Sequence, residues 1–272
     1  MAKLSAIYIY PVKSLSGIQL TESEVTQTGF KYDRKWMLVD ANNRFLSQRR
    51  LPKMTLIKTK IQQQKLIISA ANKADLTLDL IPKTSHSINI NIWDEDCPAE
   101  TISELANQWF SDFLEQPCQL VYQADNSIRQ VDQKFSSPND RTAFSDGFPF
   151  LITSEASLAL LNSQMGLKLP MQRFRPNIVI TDCTSYEEDT WRKINIGSIN
   201  FKLPKPCSRC SVPQIDPKTA ISDKQPLRTL SQTRKWNNKV FFGQNALHDS
   251  IGILRVGDTV QVIETGDPQP PF

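Results

Sequence analysis

Histidine and cysteine are both scarce in this chain. Its 272 residues include two histidines, His86 and His248, far apart in sequence, and five cysteines, Cys97, Cys118, Cys183, Cys207 and Cys210. Two histidines so far apart argue against a multi-histidine zinc or non-haem iron site, which needs two or three of them. A single CxxC pair is too little for a four-cysteine zinc or iron–sulfur site. An odd number of irregularly spaced cysteines does not describe a secreted disulfide framework, so a reducing compartment is expected. No apolar run approaches the 18 residues of a membrane span, and the N-terminus MAKLSAIYIYPVKS has neither a basic leader nor a small-residue cleavage signal. A cytoplasmic protein without a membrane partner is the expectation. The net charge of +4 is too small to point to a nucleic-acid polymer.

The distribution of charge is more informative. Residues 1–60 hold eleven Lys and Arg against Glu22, Glu24, Asp33 and Asp40, a balance of +7, which leaves −3 for the remainder. Either this is a solvated basic face or the segment serves an anionic small molecule. Apolar residues are 39% and charged residues 22%, enough for a packed core.

Residues 1–93 read as strand-rich. Period-two alternation begins at Ile7 and Ile9 and recurs in WMLVD (36–40), MTLIKTKI (54–61), KLIISA (65–70) and SININI (87–92). A helix is predicted over 101–114, where Ile102, Leu105, Ala106, Trp109, Phe110, Phe113 and Leu114 share a face and Thr101 with Glu104 resembles a capping box. The polar stretch 123–142 reads as a linker or long surface loop. A second helix follows Thr153 or Ser154, with Leu158, Leu161 and Met165 on one face and Gly166 as its stop. RFRPNIVI (173–180) reads as a strand, WRKINIGSINFKL (191–203) as a hairpin turning near Gly197, and ILRVGDTVQVIE (253–264) as a strand pair joined at Gly257–Asp258. The expected fold is β-rich α+β, with barrel-like domains over 1–122 and 123–266 and a tail at 267–272.

The strongest chemical signal is KPCSRCSVPQIDP (205–217). Pro213 and Pro217 follow too closely for the long helix of a thioredoxin-like pair, and a zinc site lacks its second pair of soft ligands. Two readings stay open: an inert structural pair, or one thiolate ligating a soft metal that a cofactor mostly holds. A set of anion-binding candidates accompanies it. Lys13 and Ser14 end the first strand, Arg34 starts another, and Arg173 and Arg175 lie two apart, so an extended segment would point both the same way. Arg offers a bidentate fork to phosphate and Lys a point charge. DGFP (146–149), read as preceding a helix N-terminus, offers backbone N–H groups.

Taken in order, YPVKS with SGIQL, GFKYDRKWMLVD, FSDGFPFLITSEASLALLN, RFRPNIVI, CSRC…IDP and FGQN resemble the MOSC proteins. The resemblance is to the branch with bacterial YcbX and the mitochondrial amidoxime-reducing component, and it spans roughly residues 3–263. It implies a MOSC N-terminal β-barrel domain followed by a MOSC domain, and the molybdenum cofactor (Mo-molybdopterin), a phosphate-bearing pyranopterin dithiolene whose metal also takes one cysteine. Cys210 matches that cysteine, as metal ligand and catalytic residue, and Cys207 matches a supporting neighbour. Lys13, Ser14, Arg34, Arg175 and Asn177 match cofactor-contacting positions, and Asp146, Gly147 and Phe148 match a segment that approaches the cofactor mainly through its backbone. Ser208 and Arg209 flank the metal ligand, and Asn245 stands where the mitochondrial relative carries Tyr. The implied reaction is two-electron reduction of a small N-hydroxylated compound, such as a hydroxylamino-purine or amidoxime, to the amine or amidine with release of water. The alternative is a non-catalytic carrier of the cofactor or of persulfide sulfur. His248 is a candidate proton donor. YcbX-type chains commonly continue into a ferredoxin-like domain with four cysteines. Here no cysteine follows Cys210, so no iron–sulfur cluster is expected in this chain. Electrons are then expected from a separate donor protein, unless such a domain has been truncated.

Overall fold

Alternating apolar residues make Lys3–Ile9 a strand, and its position organises the whole molecule. In the computed structural model, which describes residues 1–84 and 86–271, this strand pairs antiparallel with Ile178–Thr181 on one side and Ile18–Leu20 on the other. The first strand of the chain thus lies inside the sheet built by its C-terminal half. That nine-stranded sheet runs Val260–Thr265, Trp191–Ile196, Ile199–Ser208, Lys239–His248, Phe150–Ser154, Ile178–Thr181, Lys3–Ile9 and Ile18–Leu20, with Lys235–Trp236 paired off its path. Phe150–Ser154 and Ile178–Thr181 are parallel, which requires a crossover, and the helix Glu155–Met165 supplies it. The core of this half is aliphatic and aromatic, around Ile7, Phe150, Ile178, Trp191 and Phe201.

The remaining N-terminal residues form a four-stranded sheet in the order Trp36–Val39, Gln119–Tyr122, Glu95–Thr101, Ser87–Ile92, and a three-stranded sheet of Lys58–Gln62, Lys65–Ser69 and Leu76–Asp79. The helix Glu104–Leu114 inserts Trp109 and Phe110 into a core with Trp36, Leu66 and Ile68. Gly252–Arg255 leaves the C-terminal half to pair with Glu22–Thr26. The two halves therefore exchange strands.

Several local expectations are corrected. The helix begins at Glu104 and is capped by the Ser103 hydroxyl, which accepts from the Ala106 N–H; Thr101 belongs to the preceding strand, and Leu105 is exposed. MTLIKTKI opens with a 3₁₀ turn over Pro52–Leu56, because Pro52 suits the first turn of a helix and cannot donate to a ladder. The tail strands do not pair with each other: Gly252–Arg255 joins Glu22–Thr26, while Val260–Thr265 joins Trp191–Ile196. DGFP precedes the strand Phe150–Ser154, and the helix starts only afterwards, capped by Ser154. RFRP is a 3₁₀ turn over Met171–Phe174 followed by Arg175 at φ 56, so Arg173 and Arg175 diverge.

Candidate active site

The cavity forms where the strand exchange brings chain segments from both halves together. Backbone bonds lace them: the Lys13 N–H donates to Trp36 O at 2.8 Å, Arg34 N–H to Tyr10 O at 2.9 Å, and Phe144 N–H to Arg34 O at 3.0 Å. The long segment after Tyr122 is held by Arg129, whose buried guanidinium donates to Ala143 O at 3.0 Å and Ser145 O at 2.6 Å. This places Asp146, Gly147 and Phe148 on the cavity wall.

The cavity encloses about 840 Å³ of empty space, counting its open mouth. Apart from His248, every residue singled out from the sequence as a site candidate on the MOSC resemblance lines it: Lys13, Ser14 and Arg34 from the first half, Arg175 and Asn177 before the strand at 178, Ser208 at the end of its strand with Arg209 and Cys210 just after, and Asn245. Among the described residues its lining carries five cations, Lys13, Arg34, Arg49, Arg175 and Arg209, against the carboxylate of Asp146. Arg173 is not among them. It is buried, donates to Pro213 O and Gln214 O, and forms an ion pair with Asp216 at 2.8 Å, which pins the chain that follows Cys210.

The cations are held rather than solvated. Lys13 Nζ donates to Phe144 O at 2.7 Å and to Asp146 Oδ1 at 2.5 Å, and burial pulls the lysine below its ordinary pKa against the pull of Asp146. Asp146 is exposed, and the charges of Lys13, Arg49 and Arg34 hold its carboxyl well below the usual carboxylate range. Arg34 donates to Asp33 at 2.6 Å, and Asp33 in turn accepts the Tyr10 N–H at 2.7 Å. Arg175 donates to Leu15 O at 2.7 Å; burial, with Arg34 close by, pulls it down to about 10, so it stays charged at neutral pH.

Tyr10 is the part of the site that sequence reasoning missed. Its ring lies 4.2 Å from the Arg34 guanidinium and 4.1 Å from that of Arg175, and its hydroxyl donates to Pro176 O at 3.1 Å. Two like charges beside one aromatic ring are thereby fixed by cation–π attraction. Gly17 of SGIQL leaves the room: a Cβ there would stand 2.5 Å from Tyr10 Cε1. Arg49 was also missed, because within SQRR it reads as ordinary surface charge. It reaches Asp146 at 3.6 Å.

The cavity wall also carries left-handed backbone. Ser14, Arg34 and Arg175, none of them glycine, have φ of 68°, 50° and 56°. Such residues cost on the order of 1–3 kcal/mol each and collect at functional sites. Other candidates are used differently from a free contact. Asn177 is consumed by backbone, its amide donating to Tyr8 O at 3.2 Å while Oδ1 accepts the Leu151 N–H at 3.2 Å. Asn245 donates to Pro206 O at 3.4 Å. His248 does not line the cavity. It packs against Phe150, its Nε2 lies 2.7 Å from Thr26 O, and burial lowers its pKa, so it has no place as proton donor.

Cys207 and Cys210 both line the cavity as free thiols. Arg209 Nη1 donates to Cys207 Sγ at 3.0 Å and its Nη2 to Phe174 O at 2.7 Å. Burial pushes the Cys207 thiol up despite Arg209. Among the described residues no cluster of three or more His, Cys, Asp or Glu is placed to hold a metal ion.

A strand-exchanged β-rich protein with a cation-walled cavity and a CxxC thiol pair on that wall is the class that fold and site define. Residues 1–117 match the MOSC N-terminal beta barrel domain and residues 139–261 the MOSC domain. The chain is 34% identical over 284 residues to the mitochondrial amidoxime-reducing component 1 of Mus musculus, covering 96% of this chain and 82% of that protein. It is 32% identical over 275 residues to the mitochondrial amidoxime reducing component 2 of Homo sapiens, covering 94% and 82%. Among solved structures, the YUAD protein from Bacillus subtilis aligns with a TM-score of 0.44 and 11% identity over 95% of this chain and 93% of that one. The chain belongs to the MOSC family, with the amidoxime-reducing components among its relatives.

Proposed function

We propose that this chain is a molybdenum-cofactor-dependent reductase of small N-hydroxylated compounds, with Cys210 as the protein's metal ligand. The observation that carries the reading is the cavity wall, where five cations face one carboxylate, three cavity residues are held in left-handed backbone, and two thiols line the same space. The residues fit an anionic pterin cofactor on three counts. The buried Nε atoms of Arg49 and Arg209 have no hydrogen-bond partner among the described residues. A Cβ on Gly147 would enter open space. The donor set includes a soft sulfur, which suits molybdenum.

Lys13, Arg34 and Arg175 neutralise the cofactor phosphate with point charge and planar forks, and Asp146 keeps Lys13 aimed. Cys207, hydrogen-bonded by Arg209, supports the wall, and Cys210 is assigned as the thiolate donor because it stands where the MOSC resemblance has its metal-binding cysteine. When bound, the cofactor supplies the two-electron redox chemistry at a metal with exchangeable oxygen positions. The protein's part is to hold it and to shape access. The electrons come from a donor protein or from a ferredoxin-like domain of the kind YcbX-type chains carry, and we place the reaction in the cytoplasm. Protein loaded with the cofactor is expected to convert a hydroxylamino-purine to the aminopurine with an artificial reductant. Loaded protein that reduces no N-hydroxylated compound would replace this reading with that of a carrier.

A further inference from the structure

The hairpin joining Ser87–Ile92 to Glu95–Thr101 turns through Trp93 and Asp94, and Trp93 has φ 59°. Turn positions of positive φ go to Gly, Asn or Asp, because a bulky side chain there crowds the following carbonyl. A tryptophan held in this conformation is maintained by what surrounds it, and such outliers collect at ligand sites. The Arg49 guanidinium lies 4.2 Å from the Trp93 ring and the Phe45 ring packs at 4.8 Å, yet 38% of Trp93 remains exposed.

That exposed part lines a groove of about 950 Å³, counting its mouth, on which Lys239 also lies. The groove shares Arg49, Asp146, Ser208, Arg209 and Cys210 with the cavity described above. Cys210 therefore borders the cation-walled cavity and a second space that contains an aromatic wall. Lys13, Arg34 and Arg175 line the cavity and not the groove.

We infer that Trp93 is the substrate platform: its indole, braced by Arg49 and Phe45, stacks planar conjugated N-hydroxylated substrates, so the chain favours aryl amidoximes and hydroxylamino-heterocycles over aliphatic ones. This rests on the reductase reading, and stacking of a flat ring on indole is sequence-independent chemistry of the kind that holds nucleobases. Trp93→Asn tests it, because Asn suits positive φ and keeps the turn. Benzamidoxime and acetamidoxime form the matched pair, assayed on cofactor-loaded protein with an artificial reductant. The expected result is a KM for benzamidoxime raised tenfold or more with kcat within twofold, a change below threefold in kcat/KM for acetamidoxime, and recovery of most of the loss in Trp93→Phe. Equal effects on both substrates, or none on either, would overturn the platform. Saturation-transfer NMR of the same two amidoximes separates this from the reductase reading. If neither compound is reduced, that reading fails, while transfer to benzamidoxime that disappears in Trp93→Asn still supports the platform and unchanged transfer refutes it.

Discussion

Adding one methyl group at Gly17 tests the way the cationic wall is built. Gly17 is exposed and its φ is not positive, so the backbone accepts Ala without strain. At such positions Gly→Ala ordinarily stabilises by about 0.4–1 kcal/mol through the unfolded chain. Here the new Cβ would stand 2.5 Å from Tyr10 Cε1 and 2.8 Å from Cδ1. The ring has little room to retreat, being 1% exposed, flanked by Arg34 and Arg175, and tied through its hydroxyl to Pro176 O. Overpacking of this kind costs about 1–3 kcal/mol. The sign of the effect is therefore reversed, and the melting temperature should fall by roughly 2–4 °C per kcal/mol. Displacing the ring also moves both guanidiniums, so cofactor retention should drop together with stability. A Gly17→Ala/Tyr10→Leu double variant should recover the stability lost to the collision but not the retention, because the smaller side chain makes room without restoring the platform. Thermal unfolding and cofactor content of the parent and the two variants decide it. A Gly17→Ala protein that is more stable than the parent and retains its cofactor would refute the argument that Tyr10 holds the cations in place.

Two further outcomes are expected. Arg34→Ala and Arg175→Ala should each weaken cofactor retention by about 1.5–3 kcal/mol, the scale of a charged hydrogen bond, read as occupancy at limiting cofactor; equal occupancy would make these residues bystanders. Glu188, fully buried and accepting from Ser154 and Ser157, is pushed up to about 7 by burial with Asp189 adding to it. The folded state thus holds a proton that the unfolded chain releases near 4.5, so this contribution is complete below about pH 4.5 and is lost as pH rises through 7. It is worth about 3 kcal/mol, and urea midpoints of wild type and Glu188→Gln should diverge between pH 5 and pH 8. Parallel pH profiles for the two proteins would exclude the buried carboxyl as their source.

Strands and helices with strong periodicity were legible in the sequence, and so was the composition of the cavity wall, because the MOSC motifs mark its segments in order. What the motifs hid was long-range geometry. Arg173 and Arg175 looked equivalent on an extended segment, but a 3₁₀ turn and a left-handed Arg175 send one to Asp216 and the other to the cavity. Ser103 rather than Thr101 caps the helix because the preceding strand runs on through Thr101, and propensity alone does not register that competition. Gly257 and Asp258 looked like a hairpin turn, yet the strands on either side find partners at Glu22–Thr26 and Trp191–Ile196. Tyr10 left no polar signal, since an aromatic residue beside a strand reads as core. Its role depends on two arginines 24 and 165 residues away.

The central claim is that this cavity holds a molybdenum–pterin group through Cys210. It is tested most directly by metal and pterin analysis of the protein purified from cells that make the cofactor, beside Cys210→Ala and Cys207→Ala made in the same way. The account predicts near-stoichiometric molybdenum and pterin in the parent, loss of molybdenum in Cys210→Ala while that protein stays folded, and retention in Cys207→Ala. A parent devoid of both, or a Cys210→Ala protein with its full molybdenum content, would contradict it.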